Sequence, residues 1–339
     1  NQLDKPQDAV KSYKQAIKAN PKFTSAYFNL GLTLEKLGEF DLSLKSYKQA
    51  IATKPGYAEA YNNLGNVFNK LGDSDSAIKS YKRAVATRRD FSEGYYNLAR
   101  TFQNKGGLTK AIKYCEKAIK LHPRNFEALN SLGLMHMELR QLDDAIINFQ
   151  NALAIEPNYI TALNNLGAAF NEQGTIDLAL EAFQKALKIN PESAEVLNNL
   201  GVYFKDNGEL SKAIENFEQA LSFKPKSIEI LNNCGGTLKK LGETDKAVKY
   251  YKRALKINPD ESRSLYDLGS VLLQAKRFEE AIPYYEKSKH QDWEGNLLLC
   301  LYKLERFEDF KAFLDQVVAK GKVSALIAAL SQHYAENFA

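Results

Sequence analysis

Residues 160–191 read ITALNNLGAAFNEQGTIDLALEAFQKALKINP. Apolar and small residues recur at three- and four-residue intervals in both halves of this stretch. Leu163, Leu166, Gly167 and Phe170 fall on one stripe, and Ala179, Phe183 and Ala186 on another. Such spacing marks one face of an α-helix. Between the stripes Gly174 supplies the residue that can take a left-handed conformation and end a helix. At the far end Pro191, which lacks an N–H and restricts its neighbour, stops the second helix. The stretch predicts two helices folded back against each other.

The same unit recurs along the chain. Pro21, Pro55, Pro123, Pro157, Pro191, Pro225 and Pro259 are separated by 34 residues or by twice 34, and the skipped mark holds Arg89. With this proline at position 32 of a repeat, full repeats start at Thr24, Ala58, Ser92, Phe126, Ile160, Ala194, Ile228 and Ser262. Position 8 is Gly in every repeat except at Ala99, and position 20 is Ala in every repeat except at Ser43. Position 24 is Tyr or Phe except at Cys115. Small residues at 8 and 20 let two helices approach closely, and the ring at 24 is expected to fill the space between repeats. Gly recurs at position 15 (Gly38, Gly72, Gly106, Gly174, Gly208, Gly242), where the first helix must end. A fixed period of this length is the mark of stacked supersecondary units that bury their apolar faces only against neighbours.

Composition excludes several function classes. No apolar run approaches the roughly 18–20 residues needed to cross a bilayer. The three cysteines, Cys115, Cys234 and Cys300, have neither metal-ligand nor disulfide-framework spacing. Cys115 and Cys234 sit at positions that are apolar in other repeats, so buried thiols and a reducing, cytoplasmic compartment are expected. The formal net charge is +5, yet residues 1–120 hold 21 Lys and Arg against 11 Asp and Glu, so one end is basic. Much of that charge (Lys45, Lys48, Lys79, Lys82) lies on second helices. No glycine-rich phosphate loop, metal cluster or nucleophile–base pair stands at a recognisable spacing. His122, His136, His290 and His333 are scattered, and none is assigned chemistry. The expectation is therefore no catalytic constellation, no cofactor and no metal.

The repeat resembles the tetratricopeptide repeat, and the match covers nearly the whole chain. That resemblance implies an all-α fold, a right-handed α-solenoid of tandem helical hairpins closed by a C-terminal capping helix. Expected divisions are a truncated repeat with only a second helix at 1–23, eight repeats over 24–291, a degenerate shortened repeat at 292–321, and a capping helix or lead-in to a further domain at 322–339.

Position 6 carries the functional expectation. It reads Asn29, Asn63, Asn97, Ser131, Asn165, Asn199, Asn233 and Asp267. At ~100° per residue this position lies roughly opposite the buried stripe, where nothing in packing calls for Asn. Asn costs roughly 0.5 kcal/mol relative to Ala in a helix. A carboxamide offers both a donor and an acceptor, matching the C=O and N–H of a peptide unit. The row resembles the asparagine ladder of the tetratricopeptide domains of O-linked N-acetylglucosamine transferases, which grip extended segments of protein substrates. That resemblance implies a peptide-binding role for Asn29, Asn63, Asn97, Asn165, Asn199 and Asn233. Position 5 is also often Asn (Asn62, Asn130, Asn164, Asn198, Asn232) but is expected only to flank the face. Glu59, Glu93, Glu127, Glu195, Glu229, Asn66, Arg100, Lys36, Lys70 and Lys240 share the inner face and would supply selectivity. Positions 5 and 6 are never basic, which disfavours the carboxylate clamp of chaperone-binding members.

The expected function is a protein-interaction module whose concave face holds an extended or disordered protein segment. One alternative is the substrate-recruiting part of a larger enzyme, for example a glycosyltransferase, with its catalytic domain elsewhere. Another is a scaffold that forms homo-oligomers through its terminal repeats. No membrane partner is expected. Nucleic acid is disfavoured because the inner face mixes Glu with Lys and lacks interleaved basic and aromatic residues.

Overall fold

The computed structural model of the 339-residue chain describes residues 6–288, 290, 293–321 and 324–338, with side chains up to residue 336. Residues 1–5 of the expected truncated repeat, residue 292 of the expected shortened one, and residues 322, 323 and 339 of the expected end segment lie outside the described residues. The described residues form twenty helices and no strand. They divide into two compact units, Asn1–Thr175 and Ile176–Ala339. The division falls inside the repeat that starts at Ile160, in the turn between its two helices.

In the first unit, first helices run Thr24–Lys36, Ala58–Lys70, Ser92–Asn104, Phe126–Glu138 and Ile160–Gln173. The second helices are Phe40–Thr53, Ser74–Thr87, Leu108–Leu121 and Leu142–Ile155, preceded by Pro6–Ala19. The second unit holds the second helices Ile176–Ile189, Leu210–Phe223, Thr244–Ile257 and Phe278–Lys287, and the first helices Ala194–Asp206, Ile228–Lys240 and Ser262–Gln274. It closes with Trp293–Lys303, Phe307–Ala319 and Ala325–Phe338. Within each unit successive helices pack as hairpins, so each is a stack of the predicted kind. The final helix lies against Trp293–Lys303, where Leu326 and Ile327 approach Gly295.

Within hairpins that lie in one unit the glycine at position 8 and the ring at position 24 form one joint. In the first unit an added Cβ at Gly31, Gly65 or Gly133 would lie 2.7, 2.6 or 2.5 Å from a ring carbon of Tyr47, Tyr81 or Phe149. Equivalent distances in the second unit are 2.6 Å at Gly201 against Phe217 and 2.9 Å at Gly235 against Tyr251. No side chain fits between helix and ring. The exceptions read from the sequence obey the same steric rule. Ala99 already carries a Cβ, and the residue facing it at position 24 is the small Cys115, buried within the same core cluster. The ring absent there is replaced one residue earlier by Tyr114, which stacks on Phe102 at 5.5 Å with an interplanar angle of 13°. Ser43, the exception at position 20, donates its buried hydroxyl to the Gly31 carbonyl at 2.8 Å.

Position 15 is left-handed whichever residue occupies it. Gly72 has φ 80°, while Arg140 and Lys276 at the same repeat position have φ 61° and 58°. The bonds that close the helix are shared: Asp73 N–H reaches Phe68 O at 2.9 Å, and Arg277 N–H reaches Leu272 O at 2.8 Å. A Cβ in this conformation costs roughly 1–2 kcal/mol, and glycine's extra chain entropy returns part of the difference. Lys276→Gly is therefore expected to stabilise the second unit by up to about 1 kcal/mol. Urea unfolding measures it, and a loss of stability would contradict the account.

Candidate functional site

Position 6 projects from the first helix of each hairpin beside the buried stripe. Asn29, Asn63, Asn97, Asn165, Asn199 and Asn233 are all half-buried there. Asn97, Asn165 and Asn233 reach the preceding repeat. Asn97 Nδ2 donates to Asn62 Oδ1 at 2.9 Å, Asn165 Nδ2 to Asn130 Oδ1 at 3.0 Å, and Asn233 Nδ2 to Asn198 Oδ1 at 3.0 Å. This corrects the expectation that nothing in packing calls for Asn at this position.

The acceptors are the position-5 asparagines, and they do more than flank the face. Asn62, Asn130 and Asn198 are buried, with 1%, 4% and 5% of their surface exposed. Two of them pass a hydrogen bond onward to position 2 of the next repeat: Asn62 Nδ2 donates to Glu93 Oε1 at 2.8 Å, and Asn198 Nδ2 to Glu229 Oε1 at 3.0 Å. Asn232, also buried, accepts from Ser264 Oγ at 2.7 Å. A buried polar group left unpaired costs about 1–3 kcal/mol, so the position-5 row has a structural cause of its own. Its signal was present in the sequence as Asn and Glu 31 residues apart, at 62 and 93 and again at 198 and 229.

The two interruptions of the row differ. At the last full repeat Asp267 replaces Asn; burial raises its carboxyl pKa, although Arg263 lies 3.6 Å away. At Ser131 the change is coordinated with the repeat before it, where Tyr96 replaces the position-5 Asn. The Tyr96 hydroxyl lies 3.0 Å from Ser131 Oγ, which donates in turn to the Glu127 carbonyl at 2.9 Å. Because a serine side chain is shorter than a carboxamide, a hollow of about 820 Å³ opens here within the first unit. Glu93, Tyr96, Arg100, His122, Glu127 and Tyr159 line it, together with Asn97. Sequence reasoning placed Glu93, Arg100 and Glu127 on the inner face but missed Tyr96, His122 and Tyr159. The paired departures at positions 5 and 6 of adjacent repeats were the available signal.

Two position-2 glutamates are paired within their own repeat. Glu59 Oε1 accepts from Arg88 Nη1 at 2.7 Å, and Glu195 Oε1 from Lys224 Nζ at 2.8 Å. Both bases stand at position 31. Elsewhere, burial pushes the thiols of Cys115, Cys234 and Cys300 up to about 12, which keeps them protonated and poor nucleophiles at neutral pH. Among the described residues no group of three or more His, Cys, Asp or Glu is placed to hold a metal ion. No described helix is long and apolar enough to cross a membrane.

The repeat itself has counterparts in known proteins. A family model described as tetratricopeptide repeat matches residues 24–90, 124–192 and 160–226, and related models for the same repeat match 2–38, 92–125 and 237–296. No curated protein matches the chain. Among solved structures, the APC/C hetero-tetramer Cut9–Hcn1 is 18% identical, with 86% of this chain and 58% of that chain covered and a TM-score of 0.59. The pilF protein of Pseudomonas aeruginosa is 19% identical, with 61% and 97% covered and a TM-score of 0.52. At these identities the likeness concerns the fold alone. YrrB, described as a TPR protein with an unusual peptide-binding site, is 23% identical, with 56% and 97% covered and a TM-score of 0.47. The repeat models match over the same residues that fold into hairpins with the glycine–ring joint at positions 8 and 24 and the left-handed position 15, and the chain belongs to the tetratricopeptide repeat family.

Proposed function

We propose that this chain is a protein-interaction module whose first-helix face holds an extended polypeptide segment through the position-6 asparagines. The observation that carries the reading is the shared pose of Asn97, Asn165 and Asn233. In each, Nδ2 is engaged by the preceding repeat at 2.9–3.0 Å. This fixes one N–H of Asn165 and one of Asn233, while Asn97 Nδ2 donates a second time, to Asn66 Oδ1 at 3.3 Å, so each group is oriented before any ligand arrives. An amide oxygen accepts two hydrogen bonds and its nitrogen donates two, so pairing with a neighbouring Asn does not exhaust it. Groups held in place in this way lose less entropy on binding. Repetition along a stack suits backbone groups of an extended chain, which recur whatever the side chains are.

The test separates holding from packing. Segments recovered on the immobilised chain and identified by mass spectrometry are remade as synthetic peptides, and their affinity is measured for the native chain and for Asn97→Ala/Asn165→Ala. The double variant leaves Asn62 and Asn130 without one donor each, so a stability loss of about 1–3 kcal/mol per site is expected. Affinity at a temperature where the variant stays folded should fall by about tenfold or more, the loss of two modest hydrogen bonds. A variant that is less stable yet binds every peptide as tightly would leave these asparagines with a packing role only.

A further inference from the structure

The hollow at Ser131 is short of a cation that other repeats supply from within. In the repeat that starts at Ala58, Arg88 at position 31 bonds Glu59 at position 2. The same guanidinium lies 4.0 Å from the ring centroid of Phe91 at position 34. In the preceding repeat Lys54 lies over Tyr57, at the same two positions, with 4.9 Å between ammonium and ring centroid. The repeat that starts at Phe126 keeps the carboxylate, Glu127, and the ring, Tyr159, but places Glu156 where the base should stand. A carboxylate and an aromatic face remain, and the cation has been exchanged for a second acid.

Glu127 also lacks the other partner of its row. Glu93 and Glu229 accept from the position-5 Asn of the preceding repeat, whereas the residue before Glu127 in that series is Tyr96, whose hydroxyl serves Ser131 instead. Among the described residues Glu127 is left without a side-chain hydrogen bond or ion pair, while Glu59, Glu93, Glu195 and Glu229 each have one. Its charge is felt on both walls. Burial raises the phenol pKa values of Tyr96 and Tyr159, and the Glu127 carboxylate adds to each shift. Arg100, 5.8 Å from the Tyr96 ring centroid, is the one Lys or Arg side chain lining the hollow and forms no ion pair with Glu93 or Glu127. Two carboxylates therefore face one guanidinium across a partly desolvated, aromatic-walled space. Carboxylate plus ring is the combination that binds an ammonium or guanidinium group.

We infer that this hollow takes an arginine or lysine side chain of the bound polypeptide, its cation seated between Glu127 and the Tyr159 ring in the place Arg88 fills against Glu59 and Phe91. The inference rests on the reading of the first-helix face as a polypeptide-holding surface. It adds a sequence preference to a grip that otherwise ignores side chains. A basic residue would set the register of the segment along the asparagine row.

Single-residue probes test the hollow apart from the row, because they carry no extended backbone. N-acetyl-arginine amide and its neutral isostere N-acetyl-citrulline amide are titrated into the full chain, with binding followed by NMR shifts of the aromatic residues. The arginine probe should bind about fivefold or more tightly than the citrulline probe. That preference should vanish in Glu127→Gln, whose side chain makes no bond in the fold to lose. Glu156→Arg should block both probes by filling the site from within, as Arg88 does in its own repeat. Equal affinity for the two probes, no shift with the arginine probe, or a preference that survives Glu127→Gln would each overturn the assignment. If Asn97→Ala/Asn165→Ala leaves peptide affinity intact while the arginine preference holds, the asparagine row fails and the hollow stands.

Discussion

Phe149→Ala is expected to cost about 3–5 kcal/mol, the range for removing a fully buried aromatic ring. The ring has no exposed surface and fills the joint against Gly133. Glycine contributes no atoms to refill the space, so collapse around the cavity is limited. The converse change, Gly133→Ala, would place a Cβ 2.5 Å from the same ring. Overpacking of that kind costs about 1–3 kcal/mol, and here the ring has nowhere to retreat because its other side is buried too. In a stacked-repeat protein stability is approximately a sum of repeat and nearest-neighbour terms. Both losses should therefore appear first in hydrogen exchange of the helices Phe126–Glu138 and Leu142–Ile155. Protection there equal to that of the native chain would mean that the ring is not what locks the hairpin.

The second large effect is a rescue. Cys115→Phe restores the ring that seven other repeats carry at position 24, but in this repeat Ala99 stands opposite. The single change should destabilise by about 1–3 kcal/mol through overpacking, and it also removes the bond from Cys115 Sγ to the Ala128 carbonyl at 3.2 Å. Ala99→Gly alone should lose about 1 kcal/mol from helix propensity. Together the two changes rebuild the joint of the other hairpins, so the double variant should be more stable than Cys115→Phe alone. Residues in contact couple by about 0.5–3 kcal/mol, and a value near 2 is expected for this pair. Urea unfolding of the four proteins closes the cycle. Simple additivity of the two losses would show that Ala99 and Cys115 do not answer to each other.

The rescue also shows which parts of the fold were legible. The exchange of Gly and ring for Ala and Cys lies in plain view in the sequence, 16 residues apart in one repeat. Helix ends were as readable, because position 15 must be left-handed and glycine tolerates that best. Arg140 and Lys276 show the backbone keeping that conformation when the residue does not favour it. The asparagine rows were visible as rows, but their division of labour was not. A helical wheel places position 6 away from the core of its own hairpin, yet the adjacent repeat covers Asn97 and Asn165 from the side. For the same reason Asn62 and Asn130 passed for incidental neighbours, although they are buried pins of the joint between repeats.

By itself, then, the sequence determined the 34-residue hairpin, its core stripes and its helix stops, since these follow from contacts within one repeat and from backbone preferences that a residue carries anywhere. Tertiary structure decided which asparagines are buried and which remain on the face, and that the pair Tyr96 and Ser131 opens a hollow where Glu127 lacks its cation. Those outcomes depend on how one repeat is rotated onto the next. A period measures how far apart equivalent residues are along the chain and leaves that rotation free.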